Sequence, residues 1–109
     1  MKLTTDTFIE SGKKVIQMES EAISLLLDRI NIKFAQACEI MMKCTHRIVV
    51  MGMGKSGHIG NKIAATLAST GTPAFFVHPG EAGHGDMGLI TSKDVLLALS
   101  NSGETEEIL

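Results

Sequence analysis

Ile48-Val49-Val50-Met51-Gly52-Met53-Gly54-Lys55-Ser56-Gly57 is the stretch that decides the fold. Four consecutive apolar residues between Arg47 and Gly52 show no polar alternation, the pattern of a strand buried on both faces in a parallel sheet. The small-residue run after it reads as a tight turn into a helix. Ile59 to Ser69 has helical periodicity, with Ile63, Ala64 and Leu67 on one face, and Gly71-Thr72-Pro73 ends it. Ala74-Phe75-Phe76-Val77 begins a second strand. A Gly-rich connection with room for one helical turn runs from His78 to Ile90. Val95 to Leu99 is a third strand, and Thr105 to Leu109 starts another helix. Strands alternating with helices imply right-handed crossovers and a parallel sheet.

Upstream of this unit the pattern is helical. Phe8, Val15, Ala22, Ile23, Leu26 and Ile30 recur at helical spacing, which predicts one amphipathic helix from about Thr5 to Ile30. Asn31 is placed to cap a second helix, Ile32 to Met42, whose stripe is Phe34, Cys38, Met41 and Met42. The expected class is α/β: a parallel sheet flanked by helices and preceded by N-terminal helices. One domain covers residues 1–109, with a helical segment over 1–45 and a parallel βαβ portion over 46–109. Three parallel strands make a thin sheet with exposed edges. The sequence therefore reads as the front portion of a larger domain, or as one completed by a partner.

Composition narrows the function. Of 109 residues, 44% are apolar and 20% charged, as in a folded soluble domain. A formal net charge of -2 offers no basic field for nucleic acid or anionic membrane. No Trp or Tyr and only four Phe leave little to stack on bases. The polar N-terminus lacks the apolar run of a signal peptide, and no segment approaches the ~20 apolar residues of a membrane helix. Cys38 and Cys44 lack a paired motif and read as reduced, partly buried thiols. The expected compartment is the cytoplasm.

Two serine-glycine loops carry the chemistry. Gly52-Met53-Gly54-Lys55-Ser56-Gly57 matches G-x-G-x-x-G, but a dinucleotide site also needs an acid at the end of the next strand. Here that strand ends in Val77-His78-Pro79-Gly80. The Walker pattern fails as well, because position 49 is Val rather than Gly. What remains is a small-residue loop with Lys55 at a helix start. A cation there opposes the helix dipole at a cost of roughly 0.3–1 kcal/mol, which makes sense if Lys55 faces an anion or a developing negative charge; otherwise it is an ordinary exposed lysine. Ser56 serves equally well as an N-cap or as a ligand contact.

The second loop holds Ser100, Asn101, Ser102 and Thr105, followed by Glu106 and Glu107. Its hydroxyls and amides can surround a phosphate. Acids in a first helical turn are favoured by the dipole, and Glu107 has the alternative of pointing into a crevice as a base. A third cluster, His78 to Asp86, places His78 and His84 on a loop without diagnostic metal spacing, so proton transfer or hydroxyl binding by His84 is an equal alternative.

Taken together, residues 49–60, 68–82, 84–86 and 100–104 resemble the sugar isomerase (SIS) domain, and within it the bacterial arabinose 5-phosphate isomerases. The match is dense from Arg47 to Leu109 and loose in the N-terminal helices. The resemblance implies a flavodoxin-like three-layer fold. It also implies aldose–ketose isomerisation between ribulose 5-phosphate and arabinose 5-phosphate, a step towards Kdo and lipopolysaccharide. By the same resemblance Lys55 and Glu107 are catalytic. Gly71, Thr72 and His84 contact the sugar, Ser100, Ser102 and Thr105 hold its phosphate, and His78 sits at a zinc position, the zinc being incidental or inhibitory; Ser56 of the first loop is a further substrate-binding candidate. No cofactor is required, and the family assembles as homotetramers. The alternatives are a non-catalytic sugar-phosphate regulator, or an inactive fragment lacking the later strands of the domain.

Overall fold

The computed structural model describes residues 3–82 and 90–100. The order of elements is α1 (Thr5–Leu25), a 3-10 turn (Leu26–Arg29), α2 (Ile32–Met42), β1 (Ile48–Gly52), α3 (Gly54–Ser69), β2 (Ala74–Val77), α4 (Pro79–Ala82) and β3 (Val95–Leu99). The chain divides into two compact units, residues 1–37 and 38–109.

In the first unit α1 opens with a capping box. The Thr7 amide donates to Thr4 Oγ1 at 3.3 Å, and the Thr4 amide donates to Thr7 Oγ1 at 2.8 Å. The expected single helix to Ile30 instead ends at Leu25. The Leu26 amide is shared between the carbonyls of Ile23 and Ser24. That tightening into a 3-10 turn satisfies carbonyls that would otherwise be orphaned, and it needs neither Gly nor Pro, so apolar periodicity cannot reveal it. No residue of α1 is buried. Asn31 caps α2 as expected, accepting from the Lys33 amide at 3.0 Å.

The second unit is a parallel three-stranded sheet of order β2-β1-β3. All five residues of β1 are buried, in keeping with its unbroken apolar run. One face packs Ile48, Val50 and Ala64 with Met41, Ile63, Leu67, Phe76 and Leu97. The other packs Val49, Met51 and Val77 with Phe75 and Ile90. Cys38 and Cys44 are free thiols, each half-buried.

Helix α3 starts at Gly54, earlier than the expected Ile59. Its first five residues are Gly, Lys, Ser, Gly and His, and its buried residues are Gly57, Gly60 and Ala64 rather than large apolar ones. The spacing explains the choice. A Cβ on Gly52 would lie 2.7 Å from the Ser56 carbonyl oxygen, and one on Gly57 would lie 2.7 Å from the Gly52 carbonyl oxygen. Strand and helix cross with backbone against backbone. At the far end α3 closes in a Schellman turn. Gly71 takes φ +100°, its amide donates to the Ala68 carbonyl at 3.3 Å, and the Thr72 amide donates to the Leu67 carbonyl at 2.9 Å.

Candidate functional site

With β1 in the middle of the order β2-β1-β3, the chain leaves β1 on one side for β2 and returns on the other as β3. In open α/β sheets such a switch of direction leaves a crevice outside the carboxyl ends of the strands. The structure has one there. An open cleft of about 350 Å³ is lined by Ser56 and Ile59 of α3 and by Ala98, Leu99 and Ser100 at the end of β3. The parallel register sets Gly52 level with Leu99, so the two serine-glycine loops begin side by side.

The floor of the cleft is the start of α3. Met53 is extended, with φ -111° and ψ 152°, and makes no side-chain cap. Gly54 takes φ +57°, a left-handed value that suits glycine. The first amide of α3 to find a helical carbonyl is that of Gly57, which donates to Met53 at 3.2 Å. The amides of Gly54, Lys55 and Ser56 precede it, at the positively polarised end of the helix. Helices α1 and α2 close their own N-termini with Thr4 and Asn31, whereas α3 does not. Lys55 is exposed and Ser56 half-buried on this first turn.

His78 follows β2 at the same end of the sheet and is half-buried. Its Nδ1 accepts from the Gly80 amide at 3.1 Å, which fixes the ring and leaves Nε2 as the nitrogen able to meet a ligand. Among the described residues no three His, Cys, Asp or Glu side chains gather as a metal site.

Gly71 and Thr72 are placed differently. They precede β2 and lie at the amino end of the sheet, roughly 13 Å from the cleft for a four-residue strand at ~3.3 Å per residue. Thr72 lines a separate concavity of about 290 Å³ with Cys38, Met41, Met42, Ile48 and Leu67. Within one chain the structure brings together Ser56 and Ser100, with Lys55 beside Ser56, and does not bring Thr72 to them. His84, Ser102, Thr105 and Glu107 lie outside the described residues.

Two features escaped the sequence reading. Ile59 lines the cleft, and its spacing of three from Ser56 was the available signal. Asp94 ties the amino ends of the strands. It accepts from the Arg47 amide at 3.0 Å and the Thr91 amide at 2.8 Å, and Arg47 Nε stands 3.7 Å away. The Thr91 amide holds the Asp94 carboxyl below its usual range, against the opposing effect of burial and with help from Arg47. No single-residue motif announces such a tie.

Residues 41–109 match the SIS domain family. The chain belongs to the SIS domain family. It is 63% identical over 102 residues to arabinose 5-phosphate isomerase KdsD of Yersinia pestis, covering 94% of this chain and 31% of that protein. Against the KdsD of Pseudomonas aeruginosa the figures are 62% over 102 residues, again 94% and 31%. A solved Escherichia coli CFT073 structure in complex with arabinose 5-phosphate superposes with a TM-score of 0.91 at 42% identity, covering 97% of this chain and 56% of that one. This SIS chain thus spans about a third of the length of the curated relatives it matches. Among its described residues no helix is long and apolar enough to cross a membrane.

Proposed function

We propose that this SIS chain carries the phosphate-binding half of a sugar-phosphate isomerase that interconverts ribulose 5-phosphate and arabinose 5-phosphate. The observation that carries the reading is the cleft at the carboxyl ends of β1 and β3, lined by Ser56 and Ser100 beside an α3 N-terminus without a side-chain cap. Phosphate suits such a place, since amides and hydroxyls donate and the helix end favours negative charge. The relatives named arabinose 5-phosphate isomerase support the choice of sugar. In bacteria that use it, the product serves Kdo and lipopolysaccharide synthesis.

Isomerisation moves a proton from C1 of the ketose to C2 of the aldose through an enediolate, with a matching proton shift from O1 to O2. In this proposal Glu107 takes the C1 proton and returns it at C2. Lys55 steadies the negative charge that develops on the enediolate oxygens. Ser102 and Thr105 extend the phosphate cradle, and His84 binds a sugar hydroxyl. The proposal includes no required cofactor, an incidental zinc at His78, assembly as a homotetramer that brings Gly71 and Thr72 to substrate, and a cytoplasmic location.

The test incubates full-length protein with ribulose 5-phosphate in deuterated water. Arabinose 5-phosphate carrying deuterium at C2 is the expected product, and its absence sinks the proposal. Lys55→Ala should lower kcat by about 100-fold with KM little changed, because a charge met only in the transition state contributes to the chemical step.

A further inference from the structure

The cleft has an apolar side that the phosphate cradle does not use. Ile59 stands one helical turn after Ser56, faces the same cleft and is 59% exposed. The large apolar residues further along α3, Ile63 and Leu67, pack into the sheet core. Ile59 instead continues the wall formed by Ala98 and Leu99, with Ser56 and Ser100 as its polar neighbours. Gly60 fixes the position of that wall. A Cβ there would lie 3.2 Å from both Phe76 Cε2 and Val50 Cγ1, so α3 is seated closely on the sheet.

We infer that Ile59 is a positioning and specificity residue, the apolar wall against which the carbon chain of a phosphorylated sugar lies once its phosphate is held between Ser56 and Ser100. The inference rests on the function proposed above. A sugar phosphate is polar at its hydroxyls but has C–H faces, and an exposed isoleucine beside an anion cradle offers such a face a dry contact. Inorganic phosphate carries no carbon chain and gains nothing from Ile59. The residue therefore discriminates between ligands that share the same anion. This non-reacting contact holds the carbon chain alike in the bound substrate and in the transition state, so its loss appears in KM.

The experiment compares wild type, Ile59→Ala and Ile59→Val in the full-length protein. It measures KM for ribulose 5-phosphate, the inhibition constant of inorganic phosphate, and the melting temperature. Ile59→Ala should raise KM about tenfold, the scale of an apolar pocket contact, and leave phosphate inhibition and melting unchanged. Ile59→Val should recover most of the loss. Equal changes in the sugar-phosphate and phosphate constants overturn the inference, because the cradle itself has then moved. A lowered melting temperature also overturns it, since Ile59 is then a packing residue under another segment. An unchanged KM in an active enzyme removes the inference and leaves the proposed function standing. A wild-type protein without turnover, whose melting temperature ribulose 5-phosphate does not raise, removes both.

Discussion

The two ends of the same small sheet are built on opposite principles. At the amino end every strand is tied. The Ile48 amide donates to the Pro73 carbonyl at 2.9 Å, the Val95 amide donates to the Arg47 carbonyl at 3.0 Å, and Asp94 gathers the amides of Arg47 and Thr91. The Arg47 guanidinium lies 4.7 Å over the Phe75 ring, and the Cys44 thiol donates to the Arg47 carbonyl at 3.3 Å. At the carboxyl end β1 and β3 run out into Gly52 and Ser100 beside a helix start that no side chain caps. Polar groups paired within the protein hold strands in register, whereas main-chain amides at a helix start without a side-chain cap are the kind of donor an anion can use. The division of labour predicts that damage at one end changes stability and damage at the other changes binding.

The largest effect should come where the two demands meet. Gly52→Val would place side-chain carbons against the Ser56 carbonyl, already 2.7 Å from a bare Cβ, and no flexible side chain is available to yield. The helix must lift off the strand. We expect a loss of about 3 kcal/mol in urea unfolding, the upper range for overpacking, together with loss of sugar-phosphate binding. Normal stability with normal binding would show that the strand–helix contact is not what shapes the cleft.

Asp94→Ala isolates the amino end. It should lower the melting temperature by several degrees while leaving the affinity for sugar phosphate unchanged. The pH dependence has a definite sign. The folded state holds the Asp94 carboxyl below its ordinary value, so its contribution is complete above the unfolded pKa of about 4 and is lost as pH falls through the lower folded value. The gap in melting temperature between wild type and Asp94→Asn should therefore be constant from pH 7 to about 5 and shrink as pH falls below the unfolded value of about 4. A gap that widens on acidification would contradict the tie.

The same contrast explains what could be read in advance. The strands were legible because β1 has an unbroken apolar run and β2 and β3 follow at crossover spacing. The start of α3 was only partly legible: Lys55 read as standing at a helix start, but the periodic helix was taken from Ile59, because Gly54 and Gly57 read as turn residues although Gly57 belongs to the buried face of the helix. The glycines mark a close approach of backbones, and periodicity counts only large side chains. The cleft was half legible. Ser56 and Ser100 were visible as hydroxyls after strands, and the parallel register made them neighbours. Ile59 was hidden because it read only as the first residue of a helix whose packed face was Ile63, Ala64 and Leu67. Asp94 was hidden because its partners are main-chain amides distant in sequence.

Ser56→Ala should have a smaller effect, confined to the carboxyl end. Removing one neutral hydroxyl from the cradle should cost about 1 kcal/mol of phosphate affinity, roughly a fivefold rise in KM, with unchanged melting. The α3 amides remain in place and keep most of the anion site. A fall in stability instead of affinity would make Ser56 a structural residue and would move the site away from this loop.

Within one chain the smallest effect is expected at Thr72, and it tests the comparison most closely. The bond that closes α3 uses the Thr72 amide, which Thr72→Val retains. Valine also keeps the β-branched shape, so stability should stay within about 0.5 kcal/mol. Binding of sugar phosphate to the cleft of the same chain should not change either, because the length of β2 separates the two. A rise in KM in the full-length protein is what the proposed homotetramer calls for, a neighbouring copy presenting its amino end to this cleft. Sedimentation of wild type and variant alongside the kinetics separates the two cases. An unchanged KM in the assembled protein confines substrate binding to the carboxyl end, whereas a raised KM with an unchanged assembly makes the tied end of one sheet a wall of its neighbour's site.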